Sequence, residues 1–322
     1  MRAVRVHEPG GSDALRVEDV DIPAPGEGEL VIRVAAAGVN FIDAYHRSGA
    51  YPRQTPFTLG VEAAGTVEAV GDGVAEFSVG DRVATADAVG SYADLALVAA
   101  DRAVPVPEAV DLETAAAALL QGLTAHYLTG GTYRLGKDDR VLIHAAAGGV
   151  GLLLVQMAKL RGATVYGTVS SAEKETLARE AGADEVIRYT EADFGDEIAE
   201  LTGGEGLDVV YDGVGSATFD RGLECLRPRG MMVLFGQSSG PVEPVDPQRL
   251  NAGGSLFLTR PKLGDYTAER AELLARADEL FGWLESSQLT VKVSERHPLD
   301  RAAQAHDRLE GRQTVGKALL VP

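Results

Sequence analysis

Arg140-Val-Leu-Ile-His-Ala-Ala-Ala-Gly-Gly-Val-Gly151 is the stretch whose reading decides the fold. A short apolar run, Val141 to Ile143, stops at a patch of Ala and Gly, and a helical pattern follows at once from Val150 to Leu160. Strand, small-residue turn and helix are the parts of a dinucleotide-binding βα unit. Ala146 takes the place of the first Gly of G-x-G-x-x-G, with Gly148 and Gly151 as the second and third. Ala146 keeps the turn tight, Gly148 lets the backbone approach a pyrophosphate, and Gly151 lets the helix lie close on the strand. The helix start, at Gly148, Gly149, Val150 and Gly151, offers N–H groups and a partial positive charge to phosphate. Taken alone, the same turn also suits purely steric packing.

A second strand, Ala163-Thr-Val-Tyr-Gly-Thr-Val169, arrives where a βαβ unit requires it. An Asp or Glu about 20 residues after the turn would hold the ribose 2′-hydroxyl of NAD. Here that place reads Ser170-Ser171-Ala172-Glu173-Lys174, with no acid at the strand end itself. Two hydroxyls and a Lys suit an anionic 2′-phosphate, so NADPH is favoured over NADH. The alternative is that Lys174 is a solvated helix residue and Ser170 the N-cap of that helix.

Working outward, the 322 residues suffice for two domains. The net charge of −18 argues against sequence-independent nucleic-acid binding and against anionic membrane surfaces. One cysteine, Cys225, permits no intrachain disulfide and reads as a buried structural thiol. The N-terminus shows no signal-peptide core and no apolar run reaches the length of a membrane span, so a cytoplasmic protein is expected.

Residues 1 to about 125 read as mostly β, with runs at 30–36, 64–70 and 81–85 separated by Gly- and Pro-containing turns. A helix is expected over Asp111 to Leu120, capped by Asp111. From about 126 to 262 strands and helices alternate. Strands are expected at 141–145, 163–169, 185–189, 207–211, 231–236 and 255–259, which predicts a six-stranded, doubly wound parallel sheet. The tail carries a long helix near 267–286, an apolar run at 289–293, a short helix at 300–309 and a closing strand at 316–321. It has no sheet of its own, so it returns to the first domain. The predicted organisation is thus 1–125 plus 263–322 as one domain and 126–262 as the other.

Several further segments carry a family resemblance. They are Gly38-Val-Asn-Phe-Ile-Asp43 with Ser48-Gly-Ala-Tyr-Pro52, Gly60-Val-Glu-Ala-Ala-Gly65, Gly122-Leu-Thr-Ala125, Val210-Tyr-Asp-Gly-Val-Gly215, Phe235-Gly-Gln-Ser-Ser-Gly240 and Leu258-Thr-Arg-Pro261. With the glycine turn, they run in order along nearly the whole chain. The sequence resembles the medium-chain dehydrogenase/reductase superfamily and, within it, the zinc-independent quinone oxidoreductases, the group of zeta-crystallin. That resemblance implies a GroES-like catalytic domain built from both chain ends, an inserted Rossmann domain, and a homodimer joined at the last strand of the cofactor sheet, here 255–259.

Zinc-dependent members of the superfamily carry Cys and His where this chain has Asn40 and Val61, neither of which supplies a thiolate or an imidazole. Without a metal to polarise an alkoxide, the reaction left is reduction by NADPH, through hydride or stepwise electron transfer, of a quinone, or of a conjugated enal or enone. By the same resemblance Asn40, Asp43, Tyr45 and Tyr51 belong to the acceptor cleft. Asn40 also suits a turn, Asp43 a helix cap, and each Tyr ordinary packing. Thr124, Phe235 and Ser238 are expected near the nicotinamide side. Ser170, Lys174, Tyr189 and Arg312 are expected around the 2′-phosphate. Gly213 stands where the family often has Ser, so a side-chain contact is lost there. His144 reads as a core histidine; His46 lies beside the proposed cleft. A reading from another class, an NADPH-binding structural or RNA-binding protein, stays open, though the charge of −18 disfavours RNA.

Overall fold

The computed structural model describes residues 1–322. The chain begins with β1 (Arg2–Val6), β2 (Leu15–Asp19), β3 (Glu29–Gly38), α1 (Phe41–Ser48), β4 (Phe57–Thr58), β5 (Ala63–Val70), β6 (Arg82–Thr85), β7 (Leu95–Ala99), β8 (Val104–Pro105) and α2 (Leu112–Tyr127). It continues with β9 (Arg140–Ile143), α3 (Gly149–Leu160), β10 (Thr164–Val169), α4 (Ala172–Glu180), β11 (Glu185–Arg188), α5 (Phe194–Leu201), β12 (Leu207–Asp212), α6 (Phe219–Glu224) and β13 (Leu226–Leu234). It ends with α7 (Pro247–Ala252), β14 (Phe257–Thr259), α8 (Leu263–Tyr266), α9 (Arg270–Glu285), β15 (Val293–Pro298), α10 (Ala302–Glu310) and β16 (Lys317–Val321). Two compact units result, Met1–Leu123 with Glu269–Pro322, and Thr124–Ala268.

In the first unit β3 is the hub, pairing antiparallel with β5, β7 and β16. The larger sheet runs β15-β16-β3-β5-β6-β8, and a smaller one runs β2-β1-β4. Leu319 and Leu320 of the closing strand face Gly38 and Ala37 of β3. Ala318 and Leu320 join Leu30, Ile32 and Val34 in one apolar core. Each large side chain buried there stabilises the unit by roughly 1.5–3 kcal/mol, which is why the chain's end completes a sheet begun near its start.

One expectation shifts. The helix expected to stop at Leu120 runs on to Tyr127. Gly122 does not break it, because a Cβ there would come within 2.6 Å of Leu280 Cδ2. The glycine lets the Leu280 side chain of α9 lie close on α2. The apolar run 289–293 leads from α9 into β15. Leu289 is 1% exposed and its N–H closes the end of α9 on Trp283 O at 3.1 Å. Its apolarity serves that packing, and pairing with β16 begins at Val293.

The second unit is a six-stranded sheet of order β11-β10-β9-β12-β13-β14, parallel throughout. Leu142, Val210 and Met232 of its central strands are fully buried with Phe194, Phe219 and Leu223 from the covering helices. The strand order reverses between β9 and β12, the switch point at which open α/β sheets hold ligands. The turn 144–148 leaves β9 at that point.

Candidate functional site: a glycine turn and a buried polar cluster

The turn after β9 is tight and built from small residues. Ala145, with φ of 53°, takes the left-handed conformation, so the tightening falls one residue earlier than Ala146. Gly148 N–H closes the turn on Ala145 O at 2.8 Å, and Ala146 N–H ties it to Thr168 O of β10 at 3.1 Å. A Cβ on Gly151 would stand 2.2 Å from Ala145 O, so only glycine permits this approach of helix to strand. Gly148 is the N-cap of α3 and no side chain caps that end. Gly149, Val150 and Gly151 therefore form a helix start open to an anion.

The other residues expected around a cofactor divide between the units. Ser170, Lys174 and Tyr189 come together at the C-terminal ends of β10 and β11, where Tyr189 N–H bonds Val169 O at 3.1 Å and Thr190 Oγ1 bonds Ser170 O at 3.2 Å. The N-cap of α4 is Ser171, accepting from Lys174 N–H at 3.4 Å, which leaves Ser170 out of the cap. Phe235 and Ser238 follow β13 beside Gly213. Ser238 N–H bonds Gly213 O at 3.2 Å, and a Cβ on Gly213 would stand 2.8 Å from Phe235 Cζ. The glycine thus gives its side-chain space to the Phe235 ring. Thr124 is the first residue of this unit, whereas Arg312 belongs to the other, after α10, at φ 57°. His144 is buried, with Nδ1 2.9 Å from Thr168 Oγ1 and its ring edge on Phe194 at 4.8 Å. Burial holds its pKa below the ordinary value. It is a core histidine.

In the first unit Asn40 and Asp43 face inward. Asn40 Nδ2 donates to Glu62 Oε2 at 2.8 Å and to Gly38 O at 3.2 Å. Its Oδ1 accepts from Lys317 Nζ at 2.7 Å and from Gln121 Nε2 at 3.4 Å. Both amide hydrogens and both lone pairs are therefore in use. Glu62 Oε2 also accepts from Lys317 Nζ at 2.5 Å, and Glu62 Oε1 accepts from Leu120 N–H at 2.6 Å. Glu62 and Lys317 are 0% and 1% exposed, so this is a buried ion pair with its remaining polar atoms satisfied. A Cβ on Gly38 would collide with Glu62 Oε2 at 2.0 Å. The ion pair ties the end of β3, the residue before β5, the α2 helix and β16 together.

Asp43 Oδ2 caps the start of α1, accepting from Asn40 N–H at 2.9 Å. The same oxygen accepts from Tyr92 Oη at 3.1 Å. Tyr92 Oη lies 3.2 Å from His306 Nε2, and His306 Nδ1 lies 3.0 Å from Arg47 Nη1. Arg47 is anchored by Glu310, at 2.9 Å to Oε1 and 2.8 Å to Oε2. An arginine can only donate. His306 Nδ1 must then accept, its proton sits on Nε2 facing Tyr92, and the Tyr92 hydroxyl points at Asp43. Burial, then the Arg47 charge, pulls His306 down to about 3, so the ring is neutral. Burial pushes Asp43 up to about 7, against the lowering effects of Asn40 N–H, Tyr92 and Lys317.

The half-buried side of α1 is aromatic. Tyr45 and Tyr51 have ring centroids 5.2 Å apart, Phe41 lies 6.2 Å from Tyr45, and His46 lies 6.3 Å from Tyr51. Tyr51 N–H bonds Tyr45 O at 3.0 Å, which folds the segment after α1 back beside the helix. The Tyr pair expected from the sequence is thus assembled. Sequence reading missed Glu62, Gln121, Tyr92, Arg47, His306 and Lys317 as partners of Asn40 and Asp43. A legible signal existed for two of them: Glu62 and Lys317 are charges set directly against Ala63-Ala64 and Ala318-Leu-Leu320.

Residues 149–266 match the zinc-binding dehydrogenase family, and residues 26–108 match the alcohol dehydrogenase GroES-like domain. The chain is 46% identical over 315 residues to a quinone oxidoreductase of Pseudomonas aeruginosa, with 97% of each chain covered. It is 42% identical over 330 residues to a 2-haloacrylate reductase of a Burkholderia species, covering 100% of this chain and 99% of that one. A mycobacterial protein solved in complex with NADPH superposes with a TM-score of 0.98 at 52% identity, over 100% of both chains.

Proposed function

The chain belongs to the medium-chain dehydrogenase/reductase family, among its quinone oxidoreductases, and we propose that it carries out NADPH-dependent quinone reduction without a metal, on the aromatic face formed by Tyr45 and Tyr51. Two observations carry this reading, each within its own unit: an uncapped glycine-turn helix start and a tyrosine pair with ring centroids 5.2 Å apart. NADPH, when bound, supplies two electrons, as a hydride or in single steps.

The residues fit that cofactor. Gly148, Gly149, Val150 and Gly151 would hold the pyrophosphate, because no side chain caps that helix start. Ser170, Lys174 and Tyr189 would hold the 2′-phosphate, with donors and no carboxylate at Ser170 and Ser171 to repel it. Phe235, Ser238 and Thr124 complete the cofactor side within the same unit. Tyr45 and Tyr51 offer flat faces to a planar acceptor. Tyr51, 36% exposed, is placed to give its phenolic proton to a reduced acceptor oxygen and recover it from water. Asn40, satisfied from within, and Asp43, whose Oδ2 caps the helix, act as positioning residues for α1.

The donor set would suit a metal-free reaction, because Asn40 and Val61 supply neither a thiolate nor an imidazole, and Lys317 already supplies the positive charge opposite Glu62. A conjugated carbonyl acceptor is a second reading, favoured by the likeness to a 2-haloacrylate reductase. Assembly as a homodimer through β14 is also proposed. That edge strand leaves Phe257 56% exposed, as an unpaired edge awaiting a partner would. No helix is long and apolar enough to cross a membrane; with its single cysteine, we place the protein in the cytoplasm.

The test is oxidation of NADPH and NADH side by side against a panel of quinones and enones, for wild type and Lys174→Ala. Quinone turnover with NADPH well above NADH is expected. Loss of about tenfold of that preference is expected in the variant, the worth of one exposed phosphate contact of about 1.4 kcal/mol. Turnover of enones alone would move the chain to the double-bond reductases. Tight NADPH binding with no turnover would refute the enzyme reading.

A further inference from the structure

Beside the tyrosine pair stands a charge that hydride transfer itself does not require. Arg53 follows Tyr51 by two residues. Its guanidinium lies over the Phe57 ring, 5.9 Å from the centroid. It is partly exposed and makes no ion pair, in a chain that carries 48 Asp and Glu against 30 Lys and Arg. Arg47, in the preceding helix, is by contrast locked to Glu310. The field of Arg53 reaches the aromatic face: after burial, it is the other cause that lowers His46, to about 4. His46 is therefore neutral at pH 7, and the net charge contributed by this segment beside Tyr51 is that of Arg53.

A guanidinium held by one aromatic ring keeps N–H groups free, matched to the oxygens of a carboxylate or sulfonate. The contact with Phe57 also restrains the side chain before any ligand arrives, which reduces the ordering cost of binding. Because Arg53 is felt at His46, whose ring lies 6.3 Å from Tyr51, substituents of a planar acceptor on Tyr45 and Tyr51 would come within its field.

We infer that Arg53 is a specificity-determining residue that favours acceptors bearing a carboxylate or sulfonate on the conjugated system, so that the protein's preferred substrates are anionic quinones or unsaturated carboxylates. This rests on the reading of Tyr45 and Tyr51 as the acceptor face. The charge sits apart from Asn40, Asp43 and the ion pair beneath them, so its removal leaves the α1 cap in place. The contact is charge-assisted and partly open to water, which makes it worth about tenfold or more in kcat/KM, expressed mainly in KM.

The experiment compares kcat/KM for 1,4-naphthoquinone and its 2-sulfonate, with NADPH saturating, in wild type, Arg53→Gln and Arg53→Lys, at low and high salt. The ratio of sulfonate to neutral quinone is expected to fall about tenfold in Arg53→Gln, to fall less in Arg53→Lys, and to shrink in wild type as salt rises. A ratio unmoved by Arg53→Gln overturns the inference, including the case in which both quinones slow in parallel. Wild-type protein that reduces neither quinone overturns the reductase reading, and this inference with it.

Discussion

His306 is expected to tolerate glutamine and reject leucine, and the reason is the polarity of the chain it sits in. The ring is 0% exposed and bridges Arg47 Nη1 at 3.0 Å to Tyr92 Oη at 3.2 Å. His306→Leu removes the acceptor of a buried guanidinium N–H and the donor to a buried phenol. A hydrogen bond to a charged group is worth about 1.5–3 kcal/mol, and a lost neutral one about 1 kcal/mol. Arg47 keeps Glu310 and Gly10 O, and Tyr92 keeps Asp43, so the loss is about 2–4 kcal/mol. His306→Gln can accept from Arg47 with its carbonyl oxygen and donate to Tyr92 with its amide, and is expected to cost under about 1.5 kcal/mol.

The pH dependence separates this from simple packing. In wild type the folded His306 takes up a proton only near 3, whereas the unfolded residue does so near 6.5. The unfolded state binds more protons in that window, so this group removes stability as pH falls through it, by about 1.4 kcal/mol per unit. Asp43 has the opposite sign. Its folded carboxyl takes up a proton near 7, its unfolded carboxyl near 3.9, so it adds stability as pH falls between them. The two terms offset each other in wild type from about 6.5 down to about 4. His306→Gln deletes only the first and should gain about 1.4 kcal/mol per unit relative to wild type as the pH is lowered. Trp283, the chain's one tryptophan, lies in α9 of the same unit, so its fluorescence during urea unfolding reads this unit. Equal destabilisation by Gln and Leu, or an acid limb in His306→Gln parallel to wild type, would refute the assigned polarity.

Two further outcomes follow from the geometry. Glu62→Gln or Lys317→Met alone leaves a buried charge without its counter-ion and should lower stability by about 3–5 kcal/mol. The double variant should cost less than the sum, and additive losses at Trp283 in urea would show that the pair is not coupled. Gly151→Ala forces a Cβ to within 2.2 Å of Ala145 O and should weaken NADPH binding by at least about tenfold in calorimetric titration; unchanged affinity would dissociate this turn from the cofactor.

The six strands of the cofactor sheet were readable one by one because each is an apolar run bounded by local turn chemistry. Residues 140–151 also announced their own βα turn, since Gly151 is required by contacts only five and six residues back. Local reading lost its grip wherever a residue's meaning lay far along the chain. Gly122 had no local explanation beyond a family segment, and only Leu280 of α9 explains it. Leu289 read only as part of an apolar run, and it serves the end of α9. At the candidate acceptor site, sequence placed Asn40, Asp43, Tyr45 and Tyr51 in one segment, and the structure does bring the two tyrosines together. What Asn40 and Asp43 do was decided elsewhere, by partners 22, 49 and 277 residues away at Glu62, Tyr92 and Lys317. Spacing encodes period and turn, which are local forces. The direction of a buried hydrogen bond depends on which donor the fold delivers to it, and here that donor, Arg47 acting through His306 of α10, is set in place only by tertiary packing within the first unit.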